Sequence, residues 1–266
     1  MMEQSIAVSI QNLSKYFMVD GKPVCAVDDI SFELKRHEMI CIIGPSGCGK
    51  STILKMIAGI IRPSLGTISI DGRTYENGIP KPERKKFGMV FQNANLLPWR
   101  TVGDNLRLSL ELNRLKGAAW NDRIEEVLDM VGLLGYINAY PDELSGGMKQ
   151  RVNVARALVH NPDILLMDQP FGALDAITRR IISHDFLNLW RETNKSVIFI
   201  TNDIDEALLL GSKVYILSKS PAKFIEKITL DRLPDHSRDK EIYKHPDFLA
   251  YRAAIKEMMI REGGIV

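Results

Sequence analysis

The 266-residue chain is 45% hydrophobic and 26% charged, enough apolar material for one large globular domain with a real core. A formal net charge of +2 sets up no strong field toward nucleic acid or anionic lipid, so neither is expected as a partner on charge. Three cysteines (Cys25, Cys41, Cys48) cannot make a disulfide framework, and reduced thiols are expected.

In chain order, Met1 to Asn12 is polar and alternating, unlike a signal peptide. Ile6–Ile10 and Val24–Leu34 predict antiparallel strands. Met39–Ile43 is a continuous apolar run suited to a strand buried on both faces, and Thr52–Ile60 carries a helical pattern. Thr67–Ile70 and Gly88–Phe91 add strands after Pro-containing breaks, and Arg84-Lys85-Lys86 reads as a solvated basic face. From about Val102 to His160 the period becomes helical, through Leu106, Leu108, Leu110–Leu115, Ile124, Val127, Leu128 and Val131. Alternation then returns: strand Ile164–Asp168, helix Ala173–Thr193, strand Ser196–Thr201, helix Ile204–Leu210 and strand Lys213–Leu217. The last forty or so residues are charged, with Phe248–Met259 as an amphipathic helix. The expected fold class is α/β with a mostly parallel sheet, an N-terminal antiparallel part and an inserted helical subdomain. The whole of 1–266 reads as one domain, with 95–160 as the insertion and 221–266 as a C-terminal extension. The longest apolar runs fall far short of the roughly 18 residues that span a bilayer, so any spanning helices belong to another chain.

Gly44-Pro45-Ser46-Gly47-Cys48-Gly49-Lys50-Ser51-Thr52 fits the phosphate-binding pattern G-x-x-x-x-G-K-[ST] between an expected strand and an expected helix. Glycines let successive N–H groups turn inward as an anion nest, and the helix N-terminus adds positive potential. Lys50 can reach the outer phosphates, and Ser51 can offer its hydroxyl to Mg²⁺. Asp168 ends an apolar strand, where a carboxylate that holds Mg²⁺ is expected. Cys48 reads as a permissive loop position whose alkylation should hinder nucleotide binding.

Leu144-Ser145-Gly146-Gly147-Met148-Lys149-Gln150-Arg151, ahead of a helical run, resembles the signature of ATP-binding cassette (ABC) proteins. Phe91-Gln92 is similar to that family's Q-loop and Gly172-Ala173-Leu174-Asp175 to its D-loop, so the resemblance spans about residues 6–218. Leu96-Leu97-Pro98-Trp99-Arg100, Pro170–Asp175 and His245-Pro246-Asp247-Phe248 further resemble the ATPase subunits of importers for nitrate, sulfonate, taurine and related solutes. The resemblance implies two cassettes packed head to tail, with ATP between one P-loop and the other's Ser145, Gly146 and Gly147. It also implies an integral membrane permease, a solute-binding protein and a peripheral place on the cytoplasmic face of the cell membrane. Within it, Phe17 corresponds to the adenine-stacking aromatic; Tyr16 and a plain core aromatic are alternatives. Gln92 would touch metal and water. The segment after it, through Trp99, is either a permease-docking surface or core packing.

Two positions depart from the family's pattern. Gln169 stands where a Glu polarises the attacking water, and Asn202 stands where a His contacts the γ-phosphate. Gln169 cannot accept a proton, so slow turnover with preserved Mg-ATP binding is expected. Two explanations stay open: an introduced change at Gln169 that traps the ATP-bound state, or a natively degenerate cassette that gates or completes a partner's site. Soluble cassettes of translation or DNA repair, with paired cassettes or long coiled-coil insertions, fit the sequence less well.

Overall fold

A computed structural model describes residues 5–113, 119–234 and 241–262. In chain order its main elements are β1 (Ile6–Val19), β2 (Lys22–Lys35), β3 (Met39–Ile43), α1 (Lys50–Ile57), β4 (Leu65–Ile70), β5 (Arg73–Tyr75), β6 (Phe87–Val90), α2 (Val102–Leu112), α3 (Trp120–Met130), α4 (Gly146–Leu158), β7 (Ile164–Asp168), α5 (Ala176–Thr193), β8 (Ser196–Thr201), α6 (Ile204–Leu210), β9 (Lys213–Leu217), β10 (Phe224–Thr229) and α7 (Pro246–Arg261). The chain is α/β, as its alternating apolar runs predict. It divides into two compact units, 1–84 with 195–266, and 85–194.

In the first unit, β1 pairs antiparallel with both β2 and β4, and β5 extends that sheet. The second sheet of this unit runs β10-β9-β3-β8. β3 lies between β8 and β9 and is parallel to both, and every residue of Met39–Ile43 is buried. A strand covered on both faces must read as an unbroken apolar run, and this one does. β10 closes the edge in antiparallel register with β9. α7 buries Phe248, Tyr251, Ile255 and Met259 along one stripe, and a His245 cap accepts from the Asp247 N–H. The amphipathic reading of 248–259 therefore extends by a few residues at each end.

In the second unit, β6 and β7 are parallel neighbours. Between them the described residues hold helices and no strand. The Leu110–Leu115 helical reading runs past residue 113, outside the described residues. Gly88 is required where it stands: a Cβ there would lie 2.5 Å from the Ala157 carbonyl oxygen and 2.8 Å from Leu165. β6 and α4 thus approach as closely as backbone allows.

Two helix boundaries differ from the periodicity. The helix expected over 52–60 runs 50–57, because Gly59 at φ +69° turns the chain out of the helix. The helix expected from Ala173 begins at Ala176, because Asp175 caps it, accepting from the Ile177 (3.1 Å) and Thr178 (3.0 Å) N–H groups. Those bonds also hold the Asp175 carboxyl below its ordinary pKa, the Thr178 bonds most. β5 and β10 went unread in the sequence, β5 for its brevity and β10 because Glu226 and Lys227 interrupt its alternation.

Candidate functional site

In the first unit the nine residues Gly44–Thr52 leave the C-terminal end of β3 and run into α1. Ligands of open parallel sheets sit at such strand ends. The glycines are dictated by contact and backbone conformation. A Cβ on Gly44 would sit 2.8 Å from the Leu217 Cβ; Gly49 has φ +120°, with its missing Cβ 2.6 Å from the Ala26 carbonyl oxygen. Gly47, at φ +75°, has open space around it. The Cys48 N–H closes a turn onto the Pro45 carbonyl at 3.3 Å, and Thr52 donates to the Gly49 carbonyl at 3.0 Å.

Lys50 is buried, and its ammonium donates to the carbonyls of Gly44 (2.7 Å) and Pro45 (2.8 Å). The cation is thereby folded back inside the loop, while Ser46 and Gly47 stay exposed at the rim and Ser51 and Thr52 half-buried in the first turn of α1. Cys48, read as a permissive loop position, is 1% exposed, and burial pushes its thiol pKa up against the pull of Lys50. Asn202, just beyond β8, is exposed and directs its amide nitrogen to the Ser46 hydroxyl at 3.5 Å. The structure therefore does bring this departing residue to the loop. Phe17 is 39% exposed and Tyr16 40%. Both are thus surface aromatics rather than core, with the Lys15 ammonium 5.2 Å from the Phe17 ring centre.

In the second unit β7 delivers Asp168 and Gln169. Asp168 is buried, and among the described residues its Oδ1 has no hydrogen-bond partner. A buried carboxylate oxygen without a donor is costly unless a cation completes it, so this oxygen fits a hard divalent ion. No cluster of three or more acidic, His or Cys side chains occurs among the described residues, so most of such an ion's ligands must be water, hydroxyl or nucleotide oxygen. Gln169 adopts φ +46°, and its carbonyl accepts from the Gly172 N–H at 3.1 Å. Ser145 caps α4, accepting from the Met148 N–H at 3.3 Å. Gly146 and Gly147 then form the first turn, where backbone N–H groups have no acceptor within the helix. Ser145 and Gly146 are exposed, so this positive end faces outward. Gln92 is exposed just past β6, and its carbonyl accepts from the Gln150 side chain at 2.9 Å.

A family model for the ABC transporter family matches residues 27–172. The chain belongs to that family. It is 42% identical over 240 residues to the aliphatic sulfonates import ATP-binding protein SsuB of Bacillus cereus, covering 90% of this chain and 92% of the relative. It is 42% identical over 242 residues to the taurine import ATP-binding protein TauB of Rhizobium johnstonii, covering 90% of each. Among solved structures it resembles the dimeric structure of MJ0796, a bacterial ABC transporter cassette, with 33% identity and a TM-score of 0.74 over 84% of this chain and 98% of that one. The ABC-type ATPase family and fold read from the motifs are thereby established, as is the likeness to sulfonate and taurine import subunits. No helix among the described residues is long and apolar enough to cross a membrane.

The segment through Trp99 resolves one open alternative. Trp99 is 72% exposed, so it does not serve as core packing. The motif reading also missed what holds this segment. The signature helix α4 carries Gln150, Asn153 and Arg156 at successive three-residue spacings, and each grips backbone of the segment after β6. Polar residues recurring among Val152, Val154, Ala155 and Leu158 were the available sign.

Proposed function

We propose that this chain is the energy-coupling ATP-binding subunit of an importer for a small solute, seated on the cytoplasmic face of the membrane against a separate permease. The names of its relatives support a solute of the sulfonate, taurine or nitrate kind, delivered by a solute-binding protein. In this reading Lys50 and the N–H groups of the Gly44–Thr52 loop, those of Ser46, Gly47, Cys48 and Gly49 included where the loop offers them, cradle the phosphates of ATP, Pro45 shaping the loop without an N–H of its own, and Phe17 stacks on the adenine. Ser51, Asp168 and Gln92 hold Mg²⁺, which neutralises charge that builds on the phosphate oxygens. A second cassette supplies Ser145, Gly146 and Gly147 from its α4 N-terminus, an anion site suited to the γ-phosphate. ATP then completes the interface, so closure follows its differential affinity for the closed dimer. The exposed segment through Trp99 meets the permease.

Turnover in this chain is slow. The observation that carries this is Gln169, directly after the buried Asp168 at the end of β7. An amide orients a water but cannot take its proton, and loss of a general base costs about 10²–10⁴ in rate. That is roughly 3–5 kcal/mol of barrier. Asn202 donates a hydrogen bond toward the γ-phosphate without the charge a His can carry. The chain therefore binds Mg-ATP, closes and stays closed.

The test is steady-state ATPase activity of this chain and its Gln169→Glu variant, each alone and with the permease. A gain of about two decades or more in the variant supports an otherwise competent site. No gain, even with permease, favours a second reading that the additional departure at Asn202 already supports. That reading is a degenerate cassette whose Ser145 segment completes the site of a competent partner cassette.

A further inference from the structure

The segment 91–101 carries little regular structure, yet its backbone is held at seven of its eleven residues by side chains of two helices. Asn153 donates to the Phe91 carbonyl at 2.9 Å and Gln150 to the Gln92 carbonyl at 2.9 Å. Past Asn93, Arg156 forks across the carbonyls of Ala94 at 2.6 Å and Asn95 at 2.9 Å. The three side chains are also tied to one another, Asn153 to Gln150 at 3.2 Å and Arg156 to Asn153 at 3.1 Å. From α2, the buried Asn105 takes over: it accepts from the Leu97 N–H (2.8 Å) and donates to the carbonyls of Leu97 (3.2 Å), Arg100 (3.1 Å) and Thr101 (2.9 Å). Trp99 stands exposed in the middle of the stretch that Asn105 holds.

We infer that Gln150, Asn153 and Arg156 are positioning residues that make the 91–95 stretch follow α4 as one body and, with Asn105 of α2 holding 97–101, convey whatever engages the Ser145 end of α4 to the surface bearing Trp99. The inference rests on the reading above that ATP brings a second cassette onto Ser145. Its physical basis is the cost of separation. Gln150 and Asn153 are buried, and carbonyl dipoles of the segment serve the partly buried Arg156 guanidinium. Burial already lowers the Arg156 pKa, an indication that the cation depends on those oxygens. If α4 moved without the segment, buried donors and a charge would lose their partners together.

Amide hydrogen exchange on the full chain, with and without Mg-ATP, tests it. In the unaltered protein Mg-ATP should slow exchange at 145–148 and at 91–101 together. In Arg156→Met the response at 145–148 should remain, while that at 91–101 shrinks by at least about threefold. Ser109→Ala serves as the control. It removes a bond to the Arg156 carbonyl (2.9 Å) without touching the segment, and should keep both responses. If Arg156→Met does not fold, Gln150→Met is read in the same way. Equal responses in variant and unaltered protein overturn the inference. So does a response at 145–148 with none at 91–101 in the unaltered chain. Silence at 145–148 itself refutes the ATP-driven dimer, and this inference falls with it.

Discussion

Replacing Asn105 by Ala should destabilise the protein by about 2–3 kcal/mol, and the structure says why four lost hydrogen bonds cost no more than that. The side chain is 0% exposed and contacts four backbone groups. Two of them keep another donor: the Leu97 carbonyl accepts from the Arg100 N–H (3.1 Å) and the Thr101 carbonyl from the Asn105 N–H (2.9 Å). The loss therefore falls on the Leu97 N–H and the Arg100 carbonyl. Each belongs to a half-buried residue, so water reaches part of it, and a cost of about 1–1.5 kcal/mol apiece is appropriate. For a chain of this size that corresponds to a fall in Tm of roughly 4–6 °C. Thermal unfolding followed by circular dichroism measures it. Asn105→Asp separates bonding from packing: it keeps the shape and the acceptor for Leu97, but turns a negative oxygen on three carbonyls. It should cost more than Ala. A Tm within about 1 °C of the parent for either variant would refute the account of how this segment is held.

Cys48 should react slowly with iodoacetamide near pH 8 while Cys25, half-buried at the surface of β2, reacts faster. The raised thiol pKa leaves less thiolate at that pH, and burial restricts access. Mass spectrometry after timed labelling decides this, and equal rates would refute the buried geometry. Tyr215 has its pKa pushed up to about 12 by burial and by Glu38 and Glu33. Its folded value lies above the unfolded value of about 10. The stability it contributes is therefore full below about pH 10 and falls as pH rises toward 12. Urea midpoints between pH 9 and 11.5 should decline, and Tyr215→Phe should flatten that decline. An identical slope in both proteins would remove Tyr215 as its cause.

What the sequence discloses follows from which physical rule fixes each position. β3, β7 and β8 were legible almost residue by residue, because a strand buried on both faces admits only apolar side chains along its length. The P-loop was equally legible, since Gly44 and Gly49 answer to contacts at 2.8 and 2.6 Å that no other residue satisfies. Helix ends were less so, because a cap such as Asp175 overrides the apolar period beside it. The burial of Cys48 was not legible: a small thiol has no preference for either side of a tight loop until the strand behind it is known. The grip of α4 on the 91–101 segment was invisible for a different reason. Gln150, Asn153 and Arg156 bond to carbonyls, which every residue carries, so nothing in the partner's sequence marks the contact.

This division bears on how Gln169 and Asn202 are to be understood. Among the groups assigned to hold nucleotide, the glycine turns are fixed by steric and backbone demands, and Lys50 and the orphaned oxygen of Asp168 are buried in place. The two departures lie instead where no packing constraint acts strongly. Gln169 is half-buried in a left-handed turn and Asn202 is exposed. Changes at such positions alter chemistry while leaving the fold and the binding surface in place. Each also replaces a titratable group by an amide of similar outline, removing proton transfer and charge but keeping hydrogen bonding. The consequence is a separation of two free energies. On the function proposed above, the one that closes a dimer around ATP depends on groups this chain retains, and the one that crosses the hydrolytic barrier depends on a general base that Gln169 does not supply. If α4 couples to the Trp99 surface as inferred, that coupling draws only on the first, and the chain is expected to signal the presence of ATP at a rate set by binding and release rather than by cleavage.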